Sequence, residues 1–244
     1  MYDKNENIIL ITGGNGGIGK SVVAKFLRKG NRVIIWDVKD TTKEFDEEAC
    51  LEFMKVDVTD PDQIQKAHDK IKKKYGYVDH IVSMAGVNMK SEIGGMETIT
   101  LEDIDKSVKL NLNSHIYLVK IMLDLLELSD EKRKTITMIS SINAISSYGL
   151  PAYSAAKAGI YGFMKAVTKE LGDKSIRINT ISLGTVPHEG EVTEDNEYFD
   201  FHRRNLAIKE FVRPQDVADT IYSLVFRMKS ITGQNIILDM GQSV

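Results

Sequence analysis

The tightest constraint on this chain lies near its start. The β-branched run Ile8–Ile11 passes through Thr12 into Gly13-Gly14-Asn15-Gly16-Gly17-Ile18-Gly19, and a helix-forming stretch follows. A strand that becomes a helix within so few residues needs backbone freedom and close packing at the turn, which glycine supplies. The helix start then offers free N–H groups and the positive end of its dipole to an anion. The rest of the chain keeps the same rhythm. Candidate strands at Ile8–Ile11, Arg32–Trp36, Leu51–Val56, His80–Met84, Thr135–Ile139, Ile176–Ser182 and Asn235–Leu238 alternate with amphipathic stretches. Those stretches are Gly19–Arg28, Pro61–Tyr75, Leu101–Leu128, Ala152–Leu171 and Pro214–Arg227. This alternation predicts one α/β domain over residues 1–244, with a doubly wound, seven-stranded parallel sheet covered by helices on both faces. Ligands of such folds sit at the carboxyl ends of the strands.

Local chemistry marks several boundaries. Asp60-Pro61 and Arg213-Pro214 place proline where a first helical turn accepts it, and Thr100 with Asp103 reads as a cap. The segment Gly184–Asn205 is acidic and weakly periodic, and is expected to form a loop or short helices over the site, a substrate lid. A net charge of −3 leaves no basic footprint for nucleic acid. No apolar run approaches the roughly 18 residues of a spanning helix, and no signal-peptide pattern opens the chain. With a single cysteine, Cys50, these features predict a cytoplasmic protein. The five histidines are scattered without metal-ligand spacing, so no metal site is expected.

Two constellations carry chemistry. Asp37, twenty positions past Gly17 at the end of the second strand, is placed to accept hydrogen bonds from both hydroxyls of an adenosine ribose. The same carboxylate would repel a 2′-phosphate, which favours NAD over NADP, although Lys39 stands close enough to soften that repulsion. Downstream, Tyr153 and Lys157 lie one helical turn apart on one face, so an ammonium can favour a phenolate. The strand Thr135–Ile139 ends in Ser140-Ser141, which delivers a hydroxyl pair to the same edge of the sheet.

These residues together resemble the short-chain dehydrogenase/reductase family over nearly the whole chain. The resemblance rests on Thr12–Gly19, Asp57-Val58, Ala85-Gly86, Asn111, Ser141, Tyr153 with Lys157, Arg177-Ile178-Asn179, Ile231–Gln234 and Asp239–Gly241. It implies a Rossmann-type fold and hydride transfer between nicotinamide and a small-molecule secondary alcohol or ketone. Tyr153 would be the general acid/base; Lys157 would lower its pKa and hold the nicotinamide ribose. Ser141 would bond the substrate oxygen, and Asn111 would hold a water linking Lys157 to solvent. Cofactor contacts are implied for Gly13, Asn15, Gly16, Gly17, Ile18, Gly19, Asp37, Asp57, Val58, Ala85, Gly86, Tyr153, Lys157, Gly184 and Val186. The chain departs from the family pattern at Met84, Leu183, His188 and Met240, and Ser140 fits the commoner spacing to Tyr153 better than Ser141. His188 or His202 is expected to touch substrate. The apolar positions Leu118, Ile121, Met122, Leu125 and Leu126 predict a helix packed on two sides, and family members often use that helix to form a dimer or tetramer. The alternatives are an NADPH-dependent 3-oxoacyl-carrier-protein reductase and, from another class, a non-catalytic nucleotide-sensing module.

Overall fold

The computed structural model describes residues 6–45, 48–132, 134–146, 148–187 and 197–244. Seven parallel strands form one sheet: β1 (Ile8–Thr12), β2 (Arg32–Asp37), β3 (Leu51–Lys55), β4 (His80–Ser83), β5 (Lys134–Ser141), β6 (Ile176–Leu183) and β7 (Asn235–Leu238). Their spatial order is β3-β2-β1-β4-β5-β6-β7. The order reverses between β1 and β4, where Leu10 pairs with Ile34 on one side and Ile81 on the other. Helices starting on opposite faces diverge at such a point and leave a crevice at the strand ends.

Every residue of β1, β4, β5 and β6 is buried, as expected for strands covered on both faces. One layer of the core holds Trp36, Val56, Ile64, Leu118, Met122 and Ile160; the other holds Val22, Phe26, Ile35, Ile181 and Ile221. The layers are closed by α1 (Gly17–Arg28), α2 (Pro61–Lys74), α3 (Leu101–Val108), α4 (Ser114–Glu127), α5 (Pro151–Asp173), α6 (Glu197–Arg204) and α7 (Pro214–Phe226). The local signals act as read. Asp60 caps α2 by accepting from the N–H groups of Asp62 and Gln63, Thr100 caps α3 through Asp103 N–H, and Pro214 opens α7.

The helix expected over Leu101–Leu128 is not continuous. A π-turn at Lys109–Asn113 separates α3 from α4. Apolar periodicity runs through that turn without a break, so only the wider backbone ring gives it away. β5 also extends two residues beyond Ile139, and both Ser140 and Ser141 therefore belong to the strand. No described helix is long and apolar enough to cross a membrane.

Candidate active site

The turn after β1 packs so tightly that a Cβ on Gly19 would lie 2.2 Å from the carbonyl oxygen of Gly13. Helix α1 thus starts against the strand end, with Gly16 as an N-cap that has no side-chain bond and no acidic residue in the first turn. Its N–H groups and dipole remain open to a phosphate. Asp37 stands beside this turn, its carboxylate accepting from the N–H of Asn15 at 3.1 Å and of Lys39 at 3.2 Å. The Asn15 amide donates to the Lys39 carbonyl, while its own Oδ1 is buried without a partner among the described residues. Thr12 closes the strand ends by accepting from the N–H groups of Met84 and Ala85. A threonine hydroxyl thus links the end of β1 to the segment after β4 at Met84, where the chain departs from the family pattern.

From here a cavity of about 1030 Å³ runs along the carboxyl edge of the sheet. Its walls include Gly13, Asn15, Gly16, Gly17, Ile18, Gly19, Asp37, Asp57, Val58, Ala85, Gly86, Ser141, Tyr153, Lys157, Gly184 and Val186. These are all the expected contacts except Asn111, which lies directly behind the wall. Asp57 is held by Thr59, whose N–H and hydroxyl donate to it.

Asn111 is wholly buried in the π-turn. Its Oδ1 accepts from Val87 N–H at 3.0 Å, and its Nδ2 donates to the carbonyls of Val87 and Ser107. The amide clamps the segment after β4 and keeps one lone pair of Oδ1 in reserve. Gly86 lies between Asn111 and Lys157: a Cβ there would meet Asn111 Oδ1 at 2.7 Å and Lys157 Nζ at 3.1 Å. The two serines separate cleanly. Ser140 donates into the interior, to the carbonyl of Lys157 at 3.0 Å. Ser141 lines the cavity, donates to Asn143 Oδ1 at 2.9 Å and lies close enough to the Tyr153 phenol to pull its pKa down. The geometry favours Ser141 over Ser140 as the hydroxyl facing Tyr153.

Lys157 donates to the Ile139 carbonyl at 3.0 Å and lies 5.5 Å from the centre of the Tyr153 ring. Burial pushes its ammonium down to about 7, because the charged form has lost its water. Tyr153 is pushed up to about 12, chiefly by burial, with Ser141 pulling it down and the charges of Glu92 and Tyr198 pushing it up. The expected lowering of Tyr153 by Lys157 is therefore absent in the protein alone. The lysine pays for its own desolvation, and its nitrogen is directed at a backbone carbonyl.

The outer wall joins part of the expected lid to residues with no local sequence signal. Tyr198, Phe199 and His202 of α6 line the cavity, joined by Asn143, Tyr148, Leu150 and Gln242. Gln242 connects several of them. It accepts from Thr185 N–H, donates to Thr185 Oγ1 and His202 Nδ1, and its carbonyl takes the Tyr148 hydroxyl. A ring nitrogen that accepts from an amide is unprotonated, and burial holds His202 below the usual histidine range. Residues 188–196 of the expected lid, His188 among them, lie outside the described residues. His115 is packed away: Ser83 bonds its Nδ1 at 2.6 Å, and burial holds it far below its usual pKa. Among the described residues no group of His, Cys, Asp and Glu could hold a metal ion.

A family model described as enoyl-(acyl carrier protein) reductase matches residues 13–243. The chain is 31% identical to the 3-oxoacyl-[acyl-carrier-protein] reductase of Thermotoga maritima, over 96% of each chain. The chain belongs to the short-chain dehydrogenase/reductase family. It is also 28% identical to the NAD-dependent glycerol dehydrogenase of Listeria innocua, across 100% of this chain and 98% of that one. Among solved structures, a short-chain dehydrogenase/reductase oxidoreductase from Burkholderia thailandensis superposes with a TM-score of 0.85 at 27% identity, covering 98% and 93% of the two chains. A short-chain dehydrogenase from Leptospira borgpetersenii with bound NAD+ gives 0.88 at 24%, covering 100% and 98%, which shows the fold alone. As a short-chain dehydrogenase/reductase, the protein is an oxidoreductase acting on CH–OH and C=O groups with a nicotinamide cofactor.

Proposed function

We propose that this enzyme is NAD(H)-dependent and interconverts a secondary alcohol and its ketone, with Tyr153 as the general acid/base. The observation that carries this reading is a single cavity lined by Ser141, Tyr153 and Lys157 as well as by the open α1 N-terminus and Asp37. The bound cofactor supplies the carbon that gives or takes the hydride. Gly13, Asn15, Gly16, Gly17, Ile18 and Gly19 hold its phosphates, Asp57 and Val58 flank the adenine, and Ala85, Gly86, Gly184 and Val186 line the path between. Lys157 holds the nicotinamide ribose, and Asn111 keeps the Val87 segment and a water against the lysine. Ser141 orients the substrate oxygen. Tyr153 donates its proton to that oxygen in reduction and removes it in oxidation. With Tyr153 raised to about 12, the phenol that donates in reduction is the form present near neutrality. Oxidation needs phenolate and is expected to speed up as pH rises through the alkaline range, while reduction slows. Tyr153→Phe is expected to lose turnover by about 10²-fold or more with cofactor binding retained; full activity in that variant would remove Tyr153 from the mechanism.

NAD is preferred on the strength of Asp37, whose two oxygens are fixed by backbone N–H groups where a 2′-phosphate would lie. Titration with NADH and NADPH, followed by the fluorescence of Trp36, tests this directly. Trp36 lines the same end of the cavity. Tighter NADH binding that weakens in Asp37→Ala supports the reading, and tighter NADPH binding overturns it in favour of Lys39. The resemblance to 3-oxoacyl-carrier-protein reductases keeps a second reading in view. Against it, Lys39 and Lys157 are the only Lys or Arg among the described cavity residues, and neither lies on the outer wall where an acidic carrier would dock. Turnover of an acyl-carrier thioester with NADPH, exceeding that of any simple ketone, would decide for the second reading. The same proposal includes a substrate lid over 184–205, with His202 touching substrate, and a cytoplasmic homo-oligomer, dimer or tetramer. Sedimentation showing only monomer would end the last of these.

A further inference from the structure

Helix α5 has a defective start. Its N-cap residue Leu150 sits in the left-handed region (φ 57, ψ 71) and makes no side-chain cap, although Tyr153, in the first turn, has a backbone N–H that needs an acceptor. The acceptor comes from the turn after β4. Glu92, 0% exposed, takes the Tyr153 N–H on Oε2 at 2.8 Å. Its other oxygen faces its own turn and accepts from Met89 N–H at 3.4 Å. One carboxylate therefore joins the Val87–Glu92 segment to the residue that bears the reactive phenol. The far end of that segment is clamped by Asn111, so the π-turn, the segment and the start of α5 form one continuous set of hydrogen bonds.

We propose that Glu92 is a positioning residue for Tyr153: its buried carboxylate anchors the first turn of α5 and sets a negative charge beside the turn that carries the phenol. Several other groups surround the phenol. Lys157 shares α5, Ser141 comes from β5, and Tyr198 and His202 come from α6. Behind Lys157 stands His115 of α4, and Asp103 of α3 is joined to Ser91, next to Glu92, at 2.6 Å. Among these described groups, Glu92 is the one that both accepts from the Tyr153 backbone N–H and carries a negative charge. The anchoring and the charge are separable by substitution. Glu92→Gln keeps an oxygen acceptor for the Tyr153 N–H and removes the charge; Glu92→Ala removes both.

Two measurements on the intact protein test this without a known substrate. The first is a pH titration of protein carrying 13C at the tyrosine ζ position, with the Tyr153 resonance identified by its loss in Tyr153→Phe. In Glu92→Gln that resonance is expected to begin titrating about half a pH unit or more below wild type, the direction required when a negative neighbour is neutralised. Curves that coincide overturn the electrostatic role. The second is amide hydrogen exchange at Tyr153. It is expected to speed up roughly tenfold or more in Glu92→Ala and to stay near wild type in Glu92→Gln, as a lost or kept helix-start acceptor requires. Unchanged exchange in Glu92→Ala overturns the anchoring role. The inference rests on Tyr153 as acid/base, and the two failures are distinguishable. An active Tyr153→Phe enzyme retires Tyr153, whereas an inactive one with an unmoved Glu92→Gln titration retires Glu92 alone.

Discussion

Ser175 shows how a single side chain can be placed at a cost. It follows the C-cap Lys174 of α5 with φ of 58°, and its N–H closes onto the Gly172 carbonyl, the bond expected of a left-handed helix terminus. Its neighbourhood does not require a hydroxyl, and a residue with a Cβ in this region is strained by about 1 kcal/mol. Ser175→Gly is therefore expected to stabilise the protein by about 0.5–1 kcal/mol, read as a rise of roughly 2–4 °C in melting temperature. A fall would show that glycine's added freedom in the unfolded chain outweighs the relief. Met240 has the same left-handed backbone (φ 53) at the position where the family pattern has glycine. Its thioether packs beside the core, so replacement there would combine two opposing effects and test neither.

Helix α7 has no basic residue in its last turn to complement its carbonyls, and a strand supplies the missing cation. Arg177 of β6, almost fully buried, donates through Nη1 to the carbonyls of Met228 and Ile231 and through Nη2 to those of Leu224 and Val225. Asn179 continues the pattern by donating to Ile231 and accepting from Gln234 N–H. The Arg177-Ile178-Asn179 motif thus ties the end of α7 and the turn into β7 onto the sheet. Arg177→Met keeps much of the volume and leaves four carbonyls, two of them buried, without their donor, at an expected cost of about 3 kcal/mol or more. Denaturant unfolding would detect this as a lowered midpoint with an unchanged slope; a midpoint within error of wild type would show that water replaces the guanidinium.

The protein as a whole should tolerate acid poorly. His80 and His115 are wholly buried; burial lowers the first to about 3 and the second well below its usual value. Unfolded histidine binds a proton near pH 6.5, so below that pH the unfolded state takes up more protons than the folded state. Stability is therefore lost as pH falls from about 6.5 toward 3, by up to about 1.4 kcal/mol per pH unit for each histidine. Unfolding free energies measured between pH 5 and 8 should decline on the acid side. A profile flat to pH 5 would mean that these rings gain water or partners before they charge.

The sheet, its doubly wound character and the glycine-turn side of the cavity lining were readable from the chain because they depend on local patterns. Alternating β-branched and amphipathic runs, a glycine turn between strand and helix, and a hydroxyl pair at a strand end each work within a few residues. Tyr153 and Lys157 share a face by helical spacing alone. Beyond that reach the chain was silent or misleading. Periodicity carried a single helix through the π-turn that holds Asn111, and the spacing to Tyr153 pointed to Ser140 where the strand motif pointed to Ser141, until packing turned Ser140 inward. The pKa of Tyr153 followed the burial of both Tyr153 and Lys157 rather than their separation in sequence. Glu92 and Gln242 gave no local signal because their partners lie 61 and 57 residues away, at Tyr153 and Thr185. Spacing along a chain specifies which groups share an element, whereas desolvation and contacts between elements depend on which surfaces meet, and only the folded sheet and its helices bring those together.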